Sequence, residues 1–343
     1  MELHRPFGKG VFYVEEHRNI GFSIIIPCFN AAKYLRNCLD SVLGQSYTNF
    51  EIILVNDGSV DGTREICESY SGLDDRIVVL HKRNQGVSSA RNDGIALARK
   101  DYILFLDSDD FMVDGCLEEV ASTLQAKQTD LVIGCTMYHF AETTKQTTHI
   151  VNLTANEIEG RSKEEILTSI IGNPKTMGIW AVWRHVYRRE VLVSKSLAFD
   201  VKYAYGEDMD FLIQVLLSCE TFSSIELPLC YYRIDNEASA SNQYKVRSVC
   251  NHIEILGKWI RFFAAAAMEE KYKIQICRRL ANKMMAIPGN IGHLPLPEKK
   301  IAVSYLKQYQ DCLRYVHGWK FQTAHLLTKV IGMQAASNLL GRF

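Results

Sequence analysis

The feature that most constrains the fold is a set of short, almost entirely apolar runs in the first third of the chain. Ile24–Ile26 and Ile52–Val55 contain only branched aliphatic residues, which is typical of strands buried on both faces. Polar turn residues and then a stretch with helical periodicity follow each run. This alternation predicts right-handed crossovers and a parallel, doubly wound α/β sheet. The predicted strands are Phe22–Ile26, Glu51–Val55, Ile77–His81, Tyr102–Leu106 and Asp130–Cys135.

The strand pattern weakens along the chain. Residues 140–235 are less regular and include a Thr-rich stretch and a helix beginning near Gly206. After about residue 240 the pattern is helical. We therefore predict an N-terminal extension (1–20), an α/β domain (21–238) and a basic helical C-terminal region (239–343).

The charged residues are unevenly distributed, although the formal net charge is zero. Residues 1–244 contain 23 Lys/Arg and 34 Asp/Glu, whereas residues 245–343 contain 16 and 5. Such asymmetry suggests two parts with different partners, and a solvated basic helical surface explains it equally well. We expect the region 245–343 to bind an anionic membrane surface or to form a homodimer interface. No nucleic-acid partner is expected.

The cysteines and the N-terminus bear on the compartment. None of the ten cysteines forms a CxxC pair and most lie in apolar runs, which argues against zinc and against a disulfide framework. Residues 1–20 lack the apolar core of a signal peptide, and no run approaches the length of a membrane-spanning helix. We expect a cytoplasmic protein, peripheral at the inner face of the cell membrane if the basic region binds lipid.

Polar residues gather where the predicted strands end. In open α/β sheets, ligands bind outside the carboxyl ends of the strands. Singly, each cluster has a structural explanation, since Pro27 can end a strand and Asn30 can cap a helix. Four clusters on one edge instead predict a binding site. The clusters are Pro27–Asn30, Asn56–Thr63, Asn84–Gly86 with Ser88–Asn92, and Asp107–Asp110.

The acidic cluster is the most informative of the four. Asp107 and Asp109 form an Asp-x-Asp pair directly after an apolar strand. Like charges this close repel each other, and a bound Mg²⁺ or Mn²⁺ would relieve the repulsion and bridge to substrate phosphates. The alternative is a helix N-terminus capped by Asp109 or Asp110.

The order and spacing of these motifs resemble glycosyltransferase family 2. The runs that carry the resemblance are FSIIIPCFN, EIILVNDGSVDGT, NQGVSSARNDGIALA and YILFLDSDD, covering about residues 22–115, with a weaker match over 175–235. The resemblance implies a GT-A fold, a nucleotide-sugar donor and inversion at the sugar. It also implies that 21–115 is the nucleotide-binding half and 116–238 the acceptor half of the catalytic domain.

The resemblance assigns roles to individual residues. Phe29 would stack on the nucleobase, and Asp57 would accept a hydrogen bond from the nucleobase or the ribose. Asp109, with Asp107, would bind the metal. Position 56 is Asn, where many relatives carry a second Asp. The nucleotide-binding residues implied are Pro27, Phe29, Asn30, Asp57, Arg91, Asp107 and Ser108. UDP is the nucleotide expected from the resemblance alone.

An inverting transfer needs a carboxylate that takes the proton of the acceptor hydroxyl. The segment Gly206–Phe211 resembles the Glu-Asp motif that supplies this base in the family, with Asp208 at the matching position and Glu207 as the alternative. Acidic residues are also favoured in the first turn of any helix, so a purely structural role is the competing interpretation.

Three further residues are candidates for the acceptor or the diphosphate. Trp180 and Trp183 match a Trp-containing segment that lines the acceptor pocket in relatives, although a Trp is equally at home in a core. Arg233 precedes a polar loop and would clamp phosphate, or would form a surface salt bridge.

Together these features predict an enzyme that transfers a sugar from a UDP-sugar to a hydroxyl of a growing surface polysaccharide or lipid-linked oligosaccharide. A non-catalytic nucleotide-sugar-binding module is one alternative. A sugar nucleotidyltransferase is another, but the Gly-rich, Arg-containing loop that it needs after the first strand is absent.

Overall fold

The computed structural model describes residues 19–174, 179–236, 246–291 and 294–318, together with 322, 323, 325, 326 and 328. Most of the predicted N-terminal extension lies outside these residues. The strands are β1 (Phe22–Cys28), β2 (Phe50–Asp57), β3 (Ile77–Lys82), β4 (Tyr102–Phe105), β5 (Phe111–Met112), β6 (Leu131–Gly134), β7 (Thr136–Ala141), β8 (Gln146–Val151), β9 (His185–Arg188), β10 (Phe222–Ile225) and β11 (Cys230–Arg233).

The helices alternate with the strands and then replace them. They are α1 (Leu35–Leu43), α2 (Thr63–Ser71), α3 (Val87–Leu97), α4 (Cys116–Ala126), α5 (Lys163–Leu167), α6 (Arg189–Ser194), α7 (Glu207–Ser218), α8 (Val246–Ala265), α9 (Glu270–Ile291) and α10 (Leu296–Gln308). None of the helices in the described ranges is long and apolar enough to cross a membrane.

The main sheet has the order β10-β6-β9-β4-β1-β2-β3 among the described strands. β1 to β4 are parallel along the order β4-β1-β2-β3, which confirms the predicted doubly wound arrangement. β9 lies antiparallel between β4 and β6. Every residue of β1 and β2 is buried, as expected for strands covered by helices on both faces.

Close packing of α3 on β1 depends on one glycine. A Cβ atom at Gly94 would overlap the Cγ2 atom of Ile25. A larger residue would therefore force the helix away from the sheet. This contact fixes the position of α3, which also carries Arg91.

A second sheet, with the order β5-β11-β7-β8, was not predicted. The Thr-rich stretch that we expected to be irregular contains β8, which pairs antiparallel with β7. Nearly all residues of β8 are exposed, so the strand lacks the apolar alternation that would have shown it in the sequence.

The C-terminal helices share the core of the sheet domain. Ile253 and Ile260 of α8 belong to the same buried cluster as Ile25 and Phe105 of the sheet. Asp210 of α7 is only 1% exposed, and its carboxylate accepts hydrogen bonds from Lys258 Nζ (2.7 Å) and Trp259 Nε1 (2.8 Å). The first C-terminal helix is therefore fixed directly to α7.

Candidate active site

Arg91 connects the carboxyl end of β4 to the N-terminus of α7 at one edge of the main sheet. Its Nη1 atom donates to Asp208 Oδ1 (2.7 Å) and its Nη2 atom donates to Asp107 Oδ1 (3.0 Å). Glu207 Oε1 lies 3.6 Å from Nη1. The structure thus brings together three residues that sequence analysis placed in separate motifs.

Arg91 is 3% exposed, so its contacts are little screened by solvent. Burial alone would lower the pKa of the guanidinium, but Asp208, Asp107 and Glu207 outweigh burial and raise it. Arg91 therefore stays charged and compensates three carboxylates that would otherwise repel one another.

The two candidate bases have pKa values above their ordinary range. Burial and then the charge of Asp208 raise the pKa of Glu207 to about 7. Burial also raises the pKa of Asp208, while the charge of Arg91 acts in the opposite direction. Within the described ranges, the hydrogen bond that Asp208 Oδ2 accepts is a long one, 3.4 Å, from the backbone N–H of Val182. This oxygen can therefore accept a further proton or hydrogen bond.

The acidic corner after β4 does not cap a helix. Residues 107–110 form a turn that leads into β5, and α4 begins only at Cys116. Asn236 Nδ2 donates to Asp109 Oδ2 (2.8 Å). Burial and then the Asp107 carboxylate raise the pKa of Asp109. A hard cation at this corner would stabilise the ionised form of these groups.

Asp110 is more deeply buried than its neighbours. Its Oδ1 atom accepts from the backbone N–H of Arg233 (2.8 Å), whereas Oδ2 has no hydrogen-bond partner among the described residues. Burial and the neighbouring carboxylates raise its pKa well above the ordinary value. Sequence analysis considered Asp110 only as a helix cap, and Asn236, 127 residues from Asp109, was noted only as part of the polar loop after Arg233.

These observations test whether a divalent cation fits. In the part of the chain that the structure describes, no group of three His, Cys, Asp or Glu side chains could hold a metal by itself. The carboxylates of Asp107 and Asp109 are hard oxygen donors. Beside them, the Oδ2 atom of Asp110 is a further oxygen that no described residue hydrogen-bonds. This donor set fits Mg²⁺ or Mn²⁺ that takes its remaining ligands from substrate phosphates.

The residues expected around the nucleobase of the donor lie on two loops that are joined by a hydrogen bond. Phe29 is 51% exposed, so a face of its ring is open for stacking. Asn30 has a left-handed backbone (φ 51°), and its Oδ1 atom accepts from the backbone N–H of Val60 (2.9 Å). Pro27 is buried within β1, which continues to Cys28.

Asp57 positions the loop before α3. Its two carboxylate oxygens accept from the backbone N–H groups of Gln85 (2.9 Å) and Gly86 (2.7 Å). The loop therefore leads into α3 with Arg91 on the site side. Ser108 lies half-exposed between Asp107 and Asp109.

The two tryptophans have different surroundings. Trp183 is buried and stacks on Tyr232, with ring centroids 5.4 Å apart. Trp180 is half-buried, and Lys283 Nζ lies 5.8 Å from its ring centroid.

Arg233 is a buried residue rather than a surface one. Its Nε atom donates to the backbone oxygen of Asp109 (2.8 Å), and its guanidinium pairs with Glu142. The ring of Tyr34 lies 4.6 Å from its guanidinium carbon. Arg233 thus connects β11 to the acidic corner.

The sequence is similar to known proteins. The family described as Glycosyl transferase family 2 matches residues 23–189. An uncharacterized glycosyltransferase, EpsJ of Bacillus subtilis, is 32% identical over 89% of this chain and 88% of its own length. The minor teichoic acid biosynthesis protein GgaA of the same species is 33% identical over 62% of this chain and 47% of its own length.

A solved structure supports the fold. S. aureus TarS 1-349 in complex with UDP-GlcNAc has a TM-score of 0.73 at 19% identity, covering 94% of this chain and 90% of the TarS chain. The fold is GT-A. The chain belongs to glycosyl transferase family 2. It is therefore a glycosyltransferase, as the sequence motifs predicted.

Proposed function

We propose that the protein transfers a hexosyl group from a UDP-sugar to a hydroxyl of a surface polysaccharide or lipid-linked oligosaccharide, with inversion at the anomeric carbon. The observation that supports this most directly is the convergence of Asp208, Arg91 and Asp107 at the carboxyl edge of the sheet. It puts a candidate base beside the residues expected to hold the donor. The UDP-GlcNAc complex of TarS supports a UDP-sugar as the donor class.

Asp208 is the proposed base, with Glu207 as the alternative. The acceptor hydroxyl would transfer its proton to Asp208 Oδ2 as its oxygen attacks the anomeric carbon. Arg91 holds the other carboxylate oxygen and so fixes the side chain. Because the pKa of Asp208 is raised by burial, the carboxylate is a stronger base than an exposed aspartate.

The donor would be held on the β1, β2 and β4 side. Phe29 would stack on the uracil, with Pro27 and Asn30 shaping that pocket. Asp107 and Asp109 would bind Mg²⁺ or Mn²⁺, which would neutralise charge on the leaving diphosphate. Asp57 would contact the nucleobase or the ribose through those lone pairs of its carboxylate that do not already accept from backbone N–H groups.

Arg233 and the tryptophans complete the proposed substrate contacts. Arg233 would act on the diphosphate through its position beside Asp109. Trp180, which is half-buried, would present its ring to the acceptor sugar. Trp183 would support the pocket from behind through its stack on Tyr232.

The test is a binding and turnover comparison. Thermal shifts with UDP-, GDP- and dTDP-sugars, with and without Mn²⁺, should show stabilisation by UDP-sugars that requires Mn²⁺. Asp208→Asn should lower turnover about 100-fold or more, the usual contribution of a general base, while the Kd for UDP stays unchanged. Asp74→Asn, which alters a carboxylate paired only with Arg76, is the matched control. Full turnover in Asp208→Asn, or full activity in excess chelator, would contradict the proposal.

Membrane association and dimerisation stay separate predictions. Among the three aromatic residues at the end of α8, Trp259 and Phe263 are buried and Phe262 is 46% exposed, so Phe262 is the one of the three that could contact lipid. All ten cysteines are free and buried, in keeping with the cytoplasmic location that we propose. Sedimentation with anionic and with neutral vesicles tests lipid binding, and light scattering tests the dimer.

A further inference from the structure

Three basic side chains of the C-terminal helices converge beside the segments that hold the candidate base. They are His252 of α8 and Arg279 and Lys283 of α9. Arg279 and Lys283 are one helical turn apart and so lie on the same face of α9. Both are half-buried, and the Nδ1 atom of His252 is buried with no hydrogen-bond partner in the part of the chain that the structure describes.

No carboxylate compensates this basic cluster among the described residues. The only hydrogen bond found there for Arg279 goes to the backbone oxygen of Pro174 (3.3 Å). Burial and then the charge of Arg279 lower the pKa of Lys283 to about 8. Burial and then Lys283 lower the pKa of His252 to about 4. Like charges held together away from water are unfavourable unless an anion joins them.

The basic cluster contacts two residues that lie close in sequence to the segments of the site. Lys283 Nζ lies 5.8 Å from the ring centroid of Trp180, which is two residues before Val182, the residue whose backbone N–H faces Asp208. The His252 ring lies 5.7 Å from the ring of Tyr205, which is two residues before Glu207. An anion bound by the cluster would therefore lie beside Trp180, the residue proposed to contact the acceptor sugar.

We propose that His252, Arg279 and Lys283 form a subsite for a phosphoryl group of the acceptor, with Trp180 contacting the sugar that carries the accepting hydroxyl. The inference rests on the proposed function, because it names the acceptor class for the same site. Lys and Arg donors suit phosphate oxygens, and a neutral His252 adds one further hydrogen bond. Such a phosphoryl group belongs either to a phosphodiester-linked polymer or to a lipid diphosphate carrier.

The experiment is calorimetric titration of the full chain, saturated with UDP and Mn²⁺ so that the donor site is filled. Bis(2-hydroxyethyl) phosphate is the phosphodiester probe, isopentenyl diphosphate is the diphosphate probe, and diethylene glycol is the uncharged control. The wild-type protein should bind at least one phosphorylated probe and not the glycol. Preference for the first probe identifies a polymer acceptor, and preference for the second identifies a lipid carrier.

Variants test whether the basic cluster is responsible. Lys283→Gln and Arg279→Gln should each weaken probe binding roughly tenfold or more, the effect of one lost charged hydrogen bond. Lys283→Arg should restore binding. Lys271→Gln, on the same helix but exposed and paired with Glu269, should bind as the wild type does, and thermal melts confirm folding.

The outcomes separate the two proposals. Wild-type protein that binds neither probe, or unchanged binding in Lys283→Gln, would overturn the subsite. UDP-sugar binding and hydrolysis by the wild type are measured independently. If the wild-type protein neither binds nor hydrolyses UDP-sugars but still binds a phosphorylated probe, the proposed function is wrong and the anion site stands.

Discussion

Replacing Arg91 by glutamine should damage both stability and catalysis. Arg91 makes charge-assisted hydrogen bonds of 2.7 Å to Asp208 and 3.0 Å to Asp107. A hydrogen bond to a charged group contributes about 1.5–3 kcal/mol, and removing one partner of a buried pair typically costs about 3–5 kcal/mol. Because Arg91 is buried, solvent screening does not reduce this figure much. We expect the free energy of unfolding to fall by about 3–5 kcal/mol.

The catalytic effect of the same variant follows from the pKa values. Without Arg91, the largest interaction that opposes the burial of Asp208 is lost, so the pKa of Asp208 rises further and less of the proposed base is ionised at neutral pH. Loss of a comparable 3–4 kcal/mol in the transition state corresponds to roughly a 100- to 1,000-fold drop in kcat/KM.

Urea denaturation followed by circular dichroism measures stability, and UDP release measures turnover below the unfolding transition. Arg64→Gln is the control, because Arg64 pairs with Glu68 on the exposed face of α2, with both side chains more than half exposed. Exposed pairs contribute about 0–1 kcal/mol. A stability loss in Arg91→Gln no larger than in Arg64→Gln would refute the argument that Arg91 compensates the three carboxylates.

Three further predictions follow from other contacts. The kcat/KM for the acceptor should fall towards acid pH, because burial raises the pKa of Asp208 above its ordinary value and raises that of Glu207 to about 7. Glu207→Gln should shift this fall in kcat/KM to lower pH. A kcat/KM that stays constant from pH 5.5 to 8 would contradict the role assigned to these two carboxylates. Asp210→Asn should lower the urea midpoint, with a stability loss of about 1.5–3 kcal/mol from the weakened contacts to α8. Gly94→Ala should destabilise by about 1–3 kcal/mol through overpacking, whereas Gly72→Ala, at an open helix end, should stay near the wild-type midpoint.

The parallel part of the sheet was predictable because its strands are uniformly apolar. β1 and β2 are buried on both faces, so their sequences contain little besides branched aliphatic residues, and the polar residues at their ends stand out. The second sheet was not predictable by the same argument. β8 is an exposed edge strand, and its polar residues leave no periodic pattern.

The candidate site was predictable in its residue types but not in its contacts. Asp107, Asp208 and Arg91 each stood out in a motif, yet Arg91 and Asp208 are 117 residues apart, and only the fold brings them together. Asp57 shows the reverse case. Its position matched a nucleotide-contacting motif, and the structure adds a role in holding the backbone of the loop before α3.

The buried carboxylate of Asp210 has a consequence for how such enzymes can be altered. It lies two residues after Asp208 on α7, and its partners Lys258 and Trp259 belong to α8. Exchanging the C-terminal helices between relatives to change the acceptor would therefore disturb the helix that carries the proposed base. A working chimera needs its junction upstream of α7, so that Asp210 and its partners are inherited as a unit.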